Sequence, residues 1–361
     1  MSGLKGKKIC LVISSLGFGG AEKSSALLSR LLNEVGSDIH IVTVLDHIDY
    51  EYKGQLLNLG LLKKKNDTLL GRIQRLFIFK KYLKKHQFDF VIDNRTRGSF
   101  IKEFIISKFI YKPKKTIYNV MSFHYERYIN KSNFIGKLLY SDAHQIVCVS
   151  KEIKNTLYRK YNFKNLSTIP ESINITKELF HNRLIKGDYI LFFGRLDDKV
   201  KNISLLLESY SISNLIKLKI PLVILGDGPD KKKLQKKCEE LNISTEVIFK
   251  GFISQPNHFV NQALFTILTS RYEGFPRSIL ESLAQGTPVI SVNCKSGPSE
   301  MITHKYNGLL VENDNPQGLS EAMNLFLKDK SLYLNCKRNT IQSVQKFSKK
   351  NIIKKWQTIL N

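Results

Sequence analysis

Short apolar runs recur along this chain, each followed by a longer stretch of helical period, and the pattern occurs twice. In the first half the runs are Lys8–Ser14, Ile39–Val44, Phe90–Asp93, Thr116–Met121 and Gln145–Ser150. Helical patterns lie between them at Ala21–Glu34, Leu69–His86, Phe100–Phe109 and Lys151–Tyr161. Continuous apolar strands separated by helices predict a parallel sheet covered on both faces, with ligand-binding loops gathered at one edge. The pattern restarts near Asp188 with runs at Tyr189–Phe193, Pro221–Leu225, Val247–Lys250, Ala263–Leu268, Pro288–Val292 and Gly308–Val311. The expectation is an α/β protein of two doubly wound domains, 1–180 and 188–335, joined near 175–187. The remainder, 336–361, is expected as a helix crossing back to the first domain. A length of 361 residues suits two cores rather than one.

The stretch Ser270-Arg-Tyr-Glu-Gly-Phe-Pro-Arg-Ser-Ile-Leu-Glu281, continuing Ser-Leu-Ala-Gln-Gly-Thr-Pro-Val-Ile290, carries the most chemistry. It reads as a strand, a tight loop and a helix opening near Pro276, where proline is at home. Such a helix start offers free N–H groups and a positive dipole end. Glu273 at the mouth can accept hydrogen bonds from sugar hydroxyls. Glu281 lies deeper in the helix and can hold a ribose diol. Read alone, the same residues are equally a surface loop and an exposed helical carboxylate.

The rest of the chain narrows that choice. Glu-Gly-Phe-Pro with the second Glu eight residues on, followed by Gln-Gly-Thr-Pro-Val-Ile, resembles the retaining GT-B glycosyltransferases of family 4, glycosyl transferases group 1. Ser296-Gly297-Pro298-Ser299-Glu300 is similar to that family's Gly-Gly-Pro-x-Glu segment. Gly194-Arg195-Leu196 with Lys201-Asn202, the turn Gly226-Asp227-Gly228-Pro229, and the opening Gly19-Gly20-Ala21-Glu22 resemble further motifs, in family order. The likeness spans nearly the whole chain and is closest to bacterial surface-polysaccharide and lipopolysaccharide transferases. It implies two Rossmann-like domains facing a central cleft, with the acceptor on the first and the nucleotide-sugar donor on the second.

The resemblance also implies roles. Arg195 and Lys201 bind the donor diphosphate, whose charge grows as it departs. Glu273 and His124 complete the catalytic set, with His124 contacting the transferred sugar and no nucleophile needed for front-face transfer. Gly19, Gly20, Gly194, Gly226, Gly274, Phe275, Pro276 and Glu281 border the donor. Asp93, Arg95 and Arg97, at the end of a strand, are candidate acceptor contacts. The implied reaction moves a hexose or N-acetylhexosamine from a nucleotide sugar, UDP-linked by expectation, to a hydroxyl of a surface or lipid-linked glycan. No metal or other cofactor is expected, and Asp197-Asp198 is not read as a metal site. Arg277, Ser282 and the segment Ile169–Asn174 depart from the family pattern and leave donor identity open.

Charge adds one constraint. The chain holds 57 Lys+Arg against 31 Asp+Glu, a net +26, and residues 61–120 alone contribute +12. That basic region, with Leu69, Leu70, Ile73, Leu76, Phe77 and Leu83 on one helical face, suits an anionic membrane surface, and equally a packed helix with a solvated lysine side. Lysine dominates the excess and Asn and Ile are abundant, so part of the charge is compositional. Nucleic acid is not expected, because no RNA-binding aromatic signature appears. Rival readings are a nucleotide-sugar epimerase of the same fold and a non-catalytic transferase partner. Five cysteines without a CxxC pair fit a reducing compartment. The run Ile9–Leu16 reads as a first strand rather than a signal peptide, and no stretch reaches 18 apolar residues, so the protein is expected in the cytoplasm, at most peripheral on the inner membrane face.

Overall fold

The computed structural model describes residues 3–17, 19–175 and 182–361. They form two compact units, Met1–Ser172 with Lys349–Asn361, and Ile173–Ser348. The joint expected near 175–187 falls largely on 176–181, outside the described residues.

The first unit carries a seven-stranded sheet: β1 (Lys8–Ile13), β2 (Asp38–Thr43), β3 (Gln55–Asn58), β4 (Phe90–Asp93), β5 (Thr116–Val120), β6 (Gln145–Cys148) and β7 (Leu166–Thr168). Its order is β3-β2-β1-β4-β5-β6-β7, every pair parallel. β4 and β5 are buried at every residue, the signature of strands covered on both faces. β3 and β7 escape a reading by apolar runs because they are short, partly exposed edge strands. Helices between strands are capped by the side chains their sequences offer. Ser150 accepts from Ile153 N at 3.2 Å, and Ser132 from Ile135 N at 3.4 Å. The helix expected over 100–109 is α-helical at Phe100–Ile105 and widens into a π-helical stretch over Ile106–Ile110.

The second unit carries β8 (Ile190–Phe193), β9 (Leu222–Leu225), β10 (Val247–Gly251), β11 (Thr266–Leu268), β12 (Val289–Val292) and β13 (Gly308–Val311), in the order β10-β9-β8-β11-β12-β13. All pairs are again parallel. One apolar cluster, including Phe192, Leu206, Ile224 and Met323, covers one side of the unit, and a smaller one around Leu191 and Val223 covers the other.

The C-terminal segment differs from expectation. It returns to the first unit from Lys349, not from 336, because helix Lys330–Ser343 buries Cys336 and Thr340 within the second unit. A short turn over Gln345–Phe347 follows, and then helix Lys349–Leu360. That last helix buries Ile352, Ile353, Trp356 and Leu360, one stripe at helical spacing, in the cluster that also holds Leu28 and Leu32. Lys349 Nζ donates to Glu34 Oε1 at 2.9 Å across the same contact. His144 also serves this docking, its Nε2 bonding the Ile359 carbonyl at 2.7 Å. Trp356→Ala should therefore destabilise the first unit by about 3–5 kcal/mol. Urea unfolding followed by far-ultraviolet circular dichroism checks this, and a loss under about 1 kcal/mol would remove the helix from that core.

Candidate active site

In the second unit the strand order reverses between β8 and β11, so the loops leaving them open on one crevice at the carboxyl edge of the sheet. β8 runs into Gly194-Arg195-Leu196, and a single helical turn, Asp198–Lys201, ends at Asn202. β11 runs into Thr269–Pro276 and then helix Arg277–Ala284. The two loops join through side chains. Lys201 Nζ donates to Glu273 Oε1 at 2.6 Å, and Ser270 Oγ donates to the same oxygen at 2.6 Å. Backbone and hydroxyl bonds fix the junction: Arg271 N to the Val200 carbonyl, and Thr269 Oγ1 to the Lys201 carbonyl, both at 2.9 Å. Lys201 Cε lies 3.9 Å from where a Cβ on Gly194 would sit. Gly194, Lys201 and Glu273, distant in sequence, are thus neighbours. Arg195 leaves the same turn largely exposed, its Nη2 3.3 Å from Asp197 Oδ2.

Two glycines are required by close approach. Gly226 has φ 146°, and a Cβ there would come 1.9 Å from the Gly194 carbonyl oxygen. Gly226 is therefore needed first to seat the β9 turn on the β8 turn. Gly297, at φ 106°, would place a Cβ 2.3 Å from Pro276 Cδ, and its neighbour Ser296 donates from Oγ to the Gly274 carbonyl at 2.8 Å. The motif after β12 thus braces the Gly274–Pro276 loop. The Phe275 ring is buried, packing edge-on against Phe347 with centroids 5.2 Å apart. Only the backbone of this loop is available at the helix start. Glu281, one turn into the same helix from Arg277, is held by it, with Nη2 3.1 Å and Nε 3.2 Å from Oε1.

Asp197 and Asp198 have separate tasks. Asp197 pairs with Arg195, while Asp198 accepts from Ser204 N at 2.8 Å, Ser204 Oγ at 2.7 Å and Lys233 Nζ at 3.0 Å. Burial raises the Asp198 pKa, but these donors outweigh it and hold the carboxyl below its ordinary range. Among the described residues no group of three or more His, Cys, Asp or Glu side chains is placed to hold a metal ion.

In the first unit, Gly19 and Gly20 open helix Gly20–Glu34 after β1, and His124 follows β5, half exposed, with Nδ1 3.9 Å from Glu126 Oε2. Asp93, Arg95 and Arg97 require correction as acceptor contacts, because all three are buried. Arg95 donates from Nε to Asp93 Oδ1 at 3.0 Å, from Nη2 to Asp93 Oδ2 at 2.6 Å, and from Nη2 to Glu103 Oε2 at 3.1 Å. Arg97 donates to the carbonyls of Tyr128 (2.7 Å), Asn119 (2.9 Å), Asp93 (3.0 Å) and Arg95 (3.1 Å). Its guanidinium also stands over the rings of Tyr118 and Tyr128. Burial raises the Asp93 pKa, yet the two arginines pull it below the ordinary carboxylate range. These charges hold the interior of the sheet edge together. A cavity in the same unit is lined by Asn94, Asn119 and Trp356 among others.

Sequence reasoning passes over a brace at the site. Asn202 takes φ 48° and ψ 48°, donates from Nδ2 to Asp314 Oδ1 at 3.0 Å, and accepts from Arg271 Nη2 at 2.7 Å. Arg271 Nη1 closes the triangle on Asp314 Oδ1 at 2.7 Å. Asparagine beside Lys201 is a legible signal for a left-handed turn. Arg271 and Asp314 have no spacing that a reader could have used.

Two doubly wound parallel sheets give the chain the GT-B fold. The sequence profile of the glycosyl transferases group 1 matches residues 175–343. The chain is 29% identical over 345 residues to the N-acetylgalactosamine-N,N'-diacetylbacillosaminyl-diphospho-undecaprenol 4-alpha-N-acetylgalactosaminyltransferase of Campylobacter jejuni, covering 90% of this chain and 92% of that protein. Among solved structures it is similar to S. aureus TarM, crystallised with fondaparinux, alpha-GlcNAc-glycerol and UDP, at TM-score 0.78 and 16% identity, covering 98% of this chain and 100% of that one. Anabaena HepE in complex with UDP gives TM-score 0.78 and 16% identity, covering 98% and 99%.

Two outcomes follow from this geometry. Arg97→Met strands the carbonyls of Tyr128, Asn119, Asp93 and Arg95 in the interior and should cost about 3–5 kcal/mol, read in a urea melt; an unchanged midpoint would overturn the structural role. Arg271→Ala should lower turnover about tenfold to a hundredfold through a displaced Lys201, with the melting midpoint moved by no more than about 2 °C. Initial-rate assays with Arg271→Lys as partial rescue separate this from general loss of fold.

Proposed function

We propose that the protein is a retaining glycosyltransferase of family 4. It transfers a hexose or N-acetylhexosamine from a UDP-sugar to a hydroxyl of a lipid-linked or surface glycan in bacterial polysaccharide biosynthesis, working without a metal ion at the inner face of the cytoplasmic membrane. The observation that carries the reading is the Lys201–Glu273 pair beside Gly194 and Arg195 at the second unit's switch point. As the glycosidic bond breaks, negative charge collects on the departing diphosphate, and fixed cations lower that barrier. Arg195 offers a fork for two phosphate oxygens, and Lys201 offers a point charge. Glu273 holds Lys201 in place and turns its carboxylate to the sugar hydroxyls. The first N–H groups of helix Arg277–Ala284 have no partners within the helix and present its positive end to the same ligand. Glu281 takes the ribose diol, with Arg277 orienting it.

In this reading the first unit contributes His124 and the Gly19–Gly20 turn to the sugar and phosphates. Retention needs no protein nucleophile when the incoming hydroxyl approaches on the leaving group's side. The named activity of the C. jejuni relative, an α-linkage built on an undecaprenol diphosphate, supports a lipid-linked acceptor here. UDP in the TarM and HepE crystals supports the uridine donor.

A thermal-shift screen against UDP-, GDP-, ADP-, CMP- and dTDP-sugars tests the reading. A ligand at a hundred times its Kd adds about 2.7 kcal/mol to the folded state. The UDP class should raise the melting temperature of the wild type and leave Glu281→Ala unmoved. Absence of any shift at millimolar ligand would overturn the proposal.

A further inference from the structure

We infer that one helical face of the first unit docks on an anionic lipid bilayer, with exposed phenylalanines and leucines entering the headgroup region and lysines flanking them. Of the twenty large apolar side chains exposed among the described residues, eleven fall between Leu61 and Leu138. Ten of them, all but Leu61, lie on three helical segments, Leu69–His86, Phe100–Ile110 and Asn133–Tyr140. On each segment they form a stripe at helical spacing, with Leu70, Ile73 and Phe77 on the first, Ile101 and Phe109 on the second, and Phe134 on the third. Phe77 is 68% exposed, Leu70 and Phe134 each 76%.

The topology makes these stripes one surface. The segments connect β3 to β4, β4 to β5 and β5 to β6, and each connection advances the same way along the sheet. Right-handed crossovers put all three on one face of it. Contacts confirm adjacency. The Phe79 and Tyr111 rings meet at 5.9 Å beneath the first and second segments, and Lys108 Nζ lies 3.8 Å from Asp142 Oδ2 between the second and third. Of the two readings the sequence leaves open for Leu69–His86, a membrane-facing helix and a packed one, the burial does not fit the packed stripe: only Gly71 and Phe79 of that helix are buried.

Charge identifies the occupant. The three segments hold nine Lys+Arg and a single acid, Glu103. Glu103 is buried and accepts from Arg95, so it does not temper the surface. Exposed Arg72, Lys80, Lys81, Lys102 and Lys137 stand within a turn of the apolar stripes. Apolar stripes edged by cations match an anionic interface, where lysine stems lie along the acyl boundary and ammonium groups reach the headgroups. A protein partner would have to be apolar and acidic together, and a nucleic acid would leave the phenylalanines in water. Among the described residues no helix is long and apolar enough to cross a membrane, so the contact is superficial.

The inference rests on the proposed lipid-linked acceptor only for its purpose, since the surface is read from the first unit alone. Its test is co-sedimentation of the full chain with equimolar phosphatidylglycerol–phosphatidylcholine vesicles and with pure phosphatidylcholine vesicles. The wild type should sediment with the anionic vesicles and not the zwitterionic ones. The triple variant Phe77→Ser, Phe109→Ser, Phe134→Ser should lose at least about tenfold in lipid affinity while its thermal shift with UDP-sugar stays that of the wild type. Wild type left in the supernatant at low salt overturns the proposal. So does equal binding by the triple variant, which would reduce the contact to charge adsorption. A dimer that the triple variant converts to monomer, without vesicle binding, would make this a self-association face and also overturn it. Vesicle binding without any nucleotide-sugar shift would instead count against the transferase reading and leave the docking face standing.

Discussion

Asn202 sits in the left-handed region, which costs a non-glycine residue about 1–2 kcal/mol, and the arrangement of the second unit's site depends on that cost being met. The turn ends the short helix Asp198–Lys201 and starts the helix Ile203–Ser211 in a new direction, so Lys201 is left at the corner facing β11. Arg271 and Asp314 hold the asparagine side chain from two other loops, and Thr269 and Arg271 hold the backbone on either side of Lys201. Three segments distant in sequence, at 198–202, 269–273 and Asp314, therefore agree on one lysine position. With its corner fixed, a flexible four-carbon side chain can form a 2.6 Å bond to Glu273. Lysine is otherwise a poor choice for precise placement, because its ammonium carries no directional fork.

The site's second dependence is close backbone approach. The turns after β8 and β9 touch at Gly194 and Gly226, and the turns after β11 and β12 touch at Pro276 and Gly297. Adjacent parallel strands bring successive loops to the same edge, and bulky side chains at these contacts would push the loops apart. The motif residues around the crevice thus divide into two kinds. Lys201, Glu273 and Arg195 present charge. Gly226, Gly297, Ser296 and the Phe275 ring keep the charged loops at their separation.

That division explains how much could be read from the amino-acid order. The alternation of apolar runs and helical patterns marks most strands of both sheets, because strands buried on both faces are largely apolar. It fails at β3 and β7, edge strands with half-exposed residues, and at the break over Gln345–Phe347, where a buried Phe347 rather than a proline or glycine turns the chain. Motifs mark Gly194, Lys201 and Glu273, and the fold brings them together. Asp93, Arg95 and Arg97 mislead for a physical reason. Charged residues at the carboxyl end of a strand read as ligand contacts, but sequence does not reveal that a carboxylate and two guanidiniums can satisfy one another inside. Glu103, eight residues on from Arg95, supplies the second carboxylate that makes the burial possible.

The first unit buries Arg95 and Arg97 and exposes Phe77, Phe100, Phe109 and Phe134. Arg97 lies among the rings of Tyr118, Tyr128 and Tyr140, and Phe79 meets Tyr111, so aromatic side chains already fill the layer between the sheet and its covering helices. Leu70, Phe77 and Phe134 lie outside that layer, exposed. Those side chains are not a core left unfinished, since the helices carrying them are anchored from beneath by Phe79, Ile106 and Leu139. Exposed phenylalanine adds nothing to the stability of such a unit and invites association, so its presence on three neighbouring helices implies a contact made elsewhere. Lysines spaced among the stripes keep the surface soluble in water and give the contact its sign.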